Sequence, residues 1–502
     1  NAQEIGDDVK RAAQWKRRSD HNPVFDREEL ERVVANGVER LTNMQNADGG
    51  WGWFSGFRER SYPHTTAVVV RGLLIAQQND VPLVPGVLER GVKWLEKYQA
   101  EQVRKLKNAD GKVKPWKHHA DNLDAYAFGV LTDAKRNNRD MLNFLYRDRN
   151  HISVFAKAIF AQALYQLEDE QKLAMLLRNL KQYLEIDEEN HTAYLDMDGA
   201  PYWYWYGSDI EANAYYLKLL SRTDPEGDVP PMLVKYLLNN RKHATYWKST
   251  RDTSLCVEAF ADYLRATKEL DPEMVVEIWL DGEKQKEVAI DRENLFSFDN
   301  RFVLAGKDVA DGSHQVEIRR RGRGPVYFNA YLTNFTLEDH IEKTGLEVKV
   351  ERFYYRLIPE KATAAVVGSR GQARQQAVEK YRRERIANLG KLKSGDLVEI
   401  DLKITSKNDY EYLLFEDMKA AGFEPVEVRS GYSENPLGAY MELRDNRVSF
   451  FVRQMPRGEY SLSYRMRAET PGRFSALPTR ASAMYAPELK GNSDEIKVII
   501  ED

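Results

Sequence analysis

The stretch Gln45-Asn46-Ala47-Asp48-Gly49-Gly50-Trp51-Gly52-Trp53 constrains this chain more than any other, because its outline recurs. A helical pattern over residues 30–44 runs into this Gly/Trp turn, and a second one over 65–76 leaves it. The same turn-then-helix order reappears near Trp116, His151, Trp205 and Trp247. Units of about 40–60 residues cannot bury their own cores and must stack or close on one another. Five segments with apolar residues at helical spacing follow the turns, at 65–76, 122–134, 153–167, 208–220 and 249–266. More charged, amphipathic segments lie between them, at 30–44, 87–99, 141–146, 171–184 and 232–239. Two concentric rings demand this alternation, since an inner helix packs on both faces and favours small apolar residues. The expectation is an α/α toroid of about five helical hairpins, one short of the six that commonly close such a ring. Two inner helices open on a capping-box pattern, Ser208 before Glu211 and Ser249 before Asp252.

The texture changes after residue 269. Residues 274–280 alternate like a strand and end in Asp281-Gly282, a hairpin-turn signal. Further strands are expected at 314–320 and 326–332. Four or so strands fall short of the roughly seven in a complete β-sandwich. Residues 271–342 therefore read as half of one. From 346 onward, seven strands are expected as an antiparallel sandwich, at 346–355, 396–405, 410–416, 440–443, 447–453, 460–468 and 495–500. A basic segment, Arg370 to Lys393, interrupts them with eight Lys/Arg against two Glu. Its spacing suggests a helix or a mobile insertion, more often a solvated loop than a docking site for an acidic partner. The division is a polar segment 1–27, a helical domain 28–270, a half-sandwich 271–342, and a terminal sandwich 343–502 with its basic insertion near 360–393. The chain starts at Asn1 without a visible signal peptide, and it reads as the C-terminal part of something longer.

A net charge of −4 argues against nucleic acid as the main partner. No apolar run approaches the roughly 20 residues that span a bilayer. With Cys256 the one cysteine, no intrachain disulfide can form. Phosphate-loop, GxSxG, HExxH and CxxC patterns are missing, which removes the common catalytic classes. Asp196-Met197-Asp198-Gly199 lacks the spacing of a calcium loop and reads as a turn. His118 and His119 are adjacent and point apart, so no metal site is expected. Cys256 sits on an apolar helical face, as a packed thiol does. No cofactor is implied.

Aromatic residues concentrate in the first half, where seven of nine tryptophans lie between Trp51 and Trp247. Equivalent turns of a repeat face the same end. Trp51, Trp53, Tyr202, Trp203, Trp205 and Trp247 are thus candidates for an aromatic-walled pocket at the toroid mouth, or for a cap on its hydrophobic ring.

Several of these motifs resemble the bacterial alpha-2-macroglobulins. Gln45-x-x-Asp48-Gly-Gly-Trp-Gly-Trp53, His64-Thr-Thr-Ala67 and Tyr246-Trp247-Lys-Ser249-Thr-Arg-Asp252-Thr253 look like parts of that family's thioester domain. Asn408 to Asp417, Ala421-Gly-Phe-Glu424, Arg444 to Val448, Ala468-Glu-Thr-Pro-Gly472 and Met484-Tyr485-Ala-Pro487-Glu488 are similar to its terminal macroglobulin-like domain. The resemblance runs from about Arg27 to Asp502. It implies a broad-spectrum protease trap of the bacterial periplasm or cell envelope, with proteases as targets and no enzymatic turnover. It also implies a helical domain inserted into a CUB-type sandwich, which accounts for the half-sandwich at 271–342. In the family, a Cys-x-Glu-Gln thioester acylates a lysine of the captured protease, and survives only while water is excluded.

That motif does not occur here; Cys256 is followed by Val257-Glu258-Ala259. No catalytic residue is carried over. The thioester, the first hairpin, any membrane anchor and the bait region are expected in an upstream part of the same polypeptide, which becomes a partner of this chain. Two other readings stay open: a noncovalent scaffold or adhesion module, and a terpene-cyclase-like toroid with carbocation-stabilising aromatic walls. Upstream sequence would decide the first. Incubation with a polyprenoid would decide the second, which lacks its acidic initiating motif here.

Overall fold

The computed structural model describes residues 26–54, 59–197, 208–241, 246–295, 297–306, 309, 312–328, 330, 340–367, 373–426, 429–432, 435–486 and 489–502. These fall into two compact units, one within 18–238 and 248–332, the other within 239–247 and 333–502.

The first unit carries ten helices among the described residues. They are α1 (Arg27–Asn43), α2 (Pro63–Gln78), α3 (Val87–Asp110), α4 (Asn122–Asp133), α5 (Arg139–Arg147), α6 (Val154–Gln166), α7 (Glu170–Lys181), α8 (Asp209–Thr223), α9 (Val229–Asn239) and α10 (Thr250–Thr267). They alternate as five outer–inner pairs. The inner helices α2, α4, α6, α8 and α10 contact one another in sequence. Helix α6 shows why they can. Ala156, Ala158, Ala161 and Ala163 are buried on several faces, so two neighbours approach at once. Between α4 and α6 the approach is tighter still, since a Cβ on Gly129 would lie 2.7 Å from the Ile159 side chain. Outer helices bury one stripe only, Met141 and Leu145 on α5, Leu176 and Leu180 on α7.

Some local details depart from expectation. Helix α3 runs to Asp110 rather than 99, because Val103 and Leu106 continue the buried stripe of Val92 and Leu95. Helix α7 stops at Lys181, and a hairpin of β1 (Leu184–Asp187) and β2 (Thr192–Leu195) follows it. The serine caps form as expected, Ser208 Oγ accepting from Glu211 N at 3.1 Å and Ser249 Oγ from Asp252 N at 3.0 Å. Their carboxylates do not reach back to complete the box. The reciprocal capping box sits instead on α4, between Asp121 and Asp124.

The described residues of 271–342 form a three-stranded sheet, ordered β4 (Glu283–Asp291), β3 (Glu273–Leu280), β5 (Val316–Arg323). The strand expected at 326–332 does not form at 325–328, where Pro325 lacks a donor and Tyr327 Oη is committed to Glu269 Oε1 at 3.0 Å.

The second unit is built from β6 (Thr344–Gly345), β7 (Val348–Val367), β8 (Ala373–Ile386), β9 (Gly390–Lys393), β10 (Leu397–Ser406), β11 (Tyr410–Met418), β12 (Phe423–Pro425), β13 (Gly431–Tyr432), β14 (Tyr440–Leu443), β15 (Arg447–Met455), β16 (Gly458–Ala468), β17 (Gly472–Ala476), β18 (Arg480–Ala483), β19 (Lys490–Asn492) and β20 (Ile496–Glu501). A five-stranded sheet, β12-β16-β10-β7-β8, and a seven-stranded one, β13-β14-β15-β11-β18-β19-β6, enclose the core. Val398, Ile400, Leu402 and Ile404 of β10 pack in it with Leu413 and Phe415 of β11 and Phe450 of β15. A third sheet joins β17, β20 and β9.

The basic insertion is neither a helix nor a loose loop along its described length. Strands β7 and β8 pair in continuous register from Tyr354↔Ile386 to Val367↔Ala373. Ladder bonds to an already ordered partner outweigh the helical appearance of the charge spacing.

Among the described residues, an ion pair crosses between the two sheets. Arg352 of β7 donates from Nη1 to Asp417 Oδ1 of β11 at 2.7 Å, and both side chains are almost wholly buried. Arg352 also donates to the carbonyls of Ala476 and Leu477 at 2.8 and 2.7 Å. Asp417 accepts from Tyr464 Oη at 2.6 Å and Thr479 Oγ1 at 2.9 Å. Burial, and then the Asp417 charge, push the Tyr464 hydroxyl well above the ordinary tyrosine range.

Candidate functional site

The Gly/Trp turn is a clamp on three helices. Gln45 Nε2 donates to Gly49 O and to Val87 O, both at 2.9 Å. Asp48 accepts from Gly50 N, Ser61 Oγ and Trp94 Nε1 at 3.1, 2.6 and 2.9 Å. Burial alone would raise this carboxyl, but those donors outweigh it and hold it below the usual range. Trp51 donates from Nε1 to Leu41 O at 2.7 Å and from its backbone N to Thr66 Oγ1 at 3.0 Å. Gly91 of α3 must be glycine beneath it, because a Cβ would lie 2.7 Å from the indole. Gly49 adopts φ +93° where a Cβ would meet Arg90 O at 2.8 Å.

Trp51 is 1 % exposed and belongs to the core. Trp53 is half exposed and meets Tyr62 edge-on, with centroids 6.4 Å apart. Trp247, which belongs to the second compact unit, is buried. Tyr202, Trp203 and Trp205 lie outside the described residues, as do Asp198 and Gly199.

The N-terminal turns of the inner helices bring together a different set. His64 of α2 stacks on Tyr126 of α4, with centroids 5.7 Å apart. Arg251 of α10 pairs with Glu211 of α8 at 2.5 Å, and Glu211 is 3 % exposed. Burial, opposed by Arg251, pushes the Glu211 carboxyl up to about 7. Burial, and next the Arg251 cation, push the His64 imidazole down to about 4. Asp252 joins the two serine caps, accepting from Ser208 Oγ at 2.6 Å and Ser249 Oγ at 2.8 Å.

Deeper in, all five inner helices line a cavity of about 160 Å³. Arg71 of α2 donates to both oxygens of Glu258 on α10 at 2.5 and 2.6 Å, tying the first inner helix to the last. Lys218 of α8 donates to Glu258 at 2.6 Å and Asp262 at 2.5 Å. The Arg71 guanidinium also lies over the Tyr215 ring, 5.7 Å from its centroid.

Sequence reasoning reads Glu211 only as a cap partner and assigns no role to Arg71, Lys218, Arg251 or Glu258. A signal was present: a lone charge inside an apolar helical run, such as Lys218 within Tyr215-Tyr-Leu-Lys-Leu-Leu220, has to find a buried partner.

His119 stacks on His151 at 4.0 Å and lies 3.5 Å from Asp148. Among the described residues no group of three His, Cys, Asp or Glu is placed to hold a metal ion. Cys256 is buried on α10, and burial followed by the Asp252 charge raises its thiol far above the range of a nucleophile.

The His64 environment carries a pH prediction. An imidazole that protonates near 6.5 when unfolded and near 4 when folded adds stability above 6.5 and loses it as pH falls toward 4. His64→Phe keeps a ring against Tyr126 and removes the titration. Between pH 7 and 4.5, wild type should lose about 2 kcal/mol more than this variant, read by urea unfolding at both pH values. A parallel loss in both would refute the assignment.

Comparison with known proteins follows the same division. The family model described as "A-macroglobulin TED domain" matches residues 9–263, and "Bacterial Alpha-2-macroglobulin MG10 domain" matches 349–488. An alpha-2-macroglobulin homolog of Nostoc sp. is 25 % identical over 483 residues, covering 93 % of this chain and 23 % of the relative. The alpha-2-macroglobulin of Thermotoga maritima is 25 % identical over 245 residues, covering 48 % of this chain and 13 % of its own length. The chain thus spans about a quarter of the Nostoc relative. The crystal structure of trypsin-activated alpha-2-macroglobulin from Escherichia coli matches with a TM-score of 0.45 at 17 % identity, over 95 % of this chain and 30 % of that one. With one family model spanning half of the chain and a second, from the same family, following it in order, the chain belongs to the alpha-2-macroglobulin family.

Proposed function

We propose that this chain is part of a protease-trapping inhibitor of the bacterial cell envelope, acting by capture and not by turnover. The supporting observation is the order of the two matched domains, a thioester-type helical domain followed by a terminal macroglobulin-like domain. The charges of the helical cavity fit a holding role, because Arg71, Glu258, Lys218 and Asp262 are engaged with one another across helices. In this reading, a Cys-x-Glu-Gln thioester carried elsewhere in the polypeptide performs the covalent step. A lysine amine of the protease attacks its carbonyl carbon, an amide forms, and the cysteine leaves as thiolate.

The test uses the full-length polypeptide. Incubation with a serine protease should give an SDS-stable conjugate, and prior methylamine should release one thiol and block it. The trapped protease should keep activity on a small peptide substrate while losing it on a large protein. Retention of full activity on the large substrate would refute trapping. Size-selective loss without conjugate or thiol would replace covalent capture by a noncovalent trap.

A further inference from the structure

We propose that the outer edge of β8, over residues 382–385, takes an extended acidic segment of a partner polypeptide by strand addition. β8 ends the order β12-β16-β10-β7-β8, and among the described residues it pairs with β7 alone. A terminal strand offers main-chain donors and acceptors to another extended chain.

The side chains at this edge are basic and held in place. Lys380, Arg382, Arg383 and Arg385 stand against Glu384, and all five are exposed. Arg383 and Arg385, two residues apart, share a face of the strand. Their guanidinium groups lie over Tyr355 and Phe353 of β7, 5.6 and 4.7 Å from the ring centroids. Arg465 of β16 lies over Tyr381 at 5.3 Å. Glu399 of β10, 5 % exposed, pairs with both Arg383 and Arg465 and pins them. The Arg383 guanidinium reaches over β7 to Glu399, and a guanidinium above a ring has further N–H groups to offer a second carboxylate.

The chemistry of this edge selects an acidic strand as its occupant. Acidic residues at alternate positions of an added strand repeat with the same two-residue period as Arg383 and Arg385. A second copy of this edge would bring like charges into register and is disfavoured. A polyphosphate would meet the guanidinium groups but could not use the strand edge.

The test measures binding of a fluorescent Val-Glu-Val-Glu-Val-Glu-Val peptide to the whole chain. It should bind about tenfold or more tighter than its Val-Thr counterpart, and alternate backbone N-methylation should cost a further tenfold or so. The double change Arg383→Glu and Arg385→Glu should cost at least about tenfold while the far-ultraviolet circular dichroism is unchanged. No binding, or equal binding by the N-methylated peptide, would overturn the proposal using the wild-type chain alone. Displacement by inorganic polyphosphate together with indifference to N-methylation would identify a plain anion surface and overturn it as well.

Discussion

Asp417→Ala should unfold the terminal sandwich at a far lower denaturant concentration than wild type, with a loss of about 3–5 kcal/mol. The magnitude comes from what is left behind. Arg352 would remain in the interior, 1 % exposed at its side chain, with its charge uncompensated. Tyr464 and Thr479 would each lose an acceptor in the same step. The pair need not be net favourable against an apolar replacement; breaking it from one side is what costs. Asp417→Asn separates the two contributions. It keeps an oxygen for the hydroxyls but not the charge, so it should fall between wild type and alanine. Urea unfolding followed by Tyr and Trp fluorescence measures all three. A loss under about 1 kcal/mol for the alanine variant would mean that the inter-sheet network carries little of the stability.

Trp51→Ala should cost the helical unit about 3–5 kcal/mol, as for other fully buried aromatics. Three losses coincide at this one side chain. The indole leaves a void beside Gly91, whose missing Cβ made room for it. The carbonyl of Leu41 at the end of α1 loses its donor. The angle between α1, α2 and α3 loses the object it was set around. Trp51→Phe retains most of the volume and loses the Nε1 donor, so it should cost about 1–2 kcal/mol. Trp53→Ala, two residues on and half exposed, should change stability by less than about 1 kcal/mol. Thermal unfolding monitored at 222 nm would rank the three. Equal effects at positions 51 and 53 would contradict the clamp.

The helical architecture was legible because its two signals reinforce one another. Apolar spacing marks each helix, and the alternation of Ala-rich with charged segments marks its layer, as α6 and α7 show side by side. The β half was legible wherever one face is buried. The inward row Val398, Ile400, Leu402 and Ile404 declares itself by strict alternation. The basic insertion was misjudged because charge spacing alone does not distinguish strand from helix, and its exposed residues 380 and 382–385 carry no buried period. The short strands β13, β18 and β19 have lengths below any periodicity, and only their partners define them.

The inner-helix cluster was the least legible part. Glu211 and Asp252 were taken as reciprocal cap partners, because three-residue spacing after serine is the local signal. Arg251 for Glu211, and Ser208 for Asp252, come from a neighbouring helix, while Ser249 is the cap of the helix that carries Asp252 itself. Spacing along one segment does not reveal which helix stands beside it. Trp51 is conspicuous beside its glycines, but the residue that makes room for its indole is Gly91 of α3, which the turn itself does not reveal.

The parallel pairing of β20 with β9 sets an order on biosynthesis. Val498 and Ile500 belong to the core of the terminal sandwich, and β20 is the middle strand of its three-stranded sheet, with β17 on one side and β9 on the other. That sheet has no centre until Ile500 has emerged from the ribosome, whereas the helical pairs form from neighbouring segments as each is made. During synthesis the nascent chain therefore carries a finished helical unit and an unfinished sandwich. A chaperone that shields apolar strands late in translation should help this protein most.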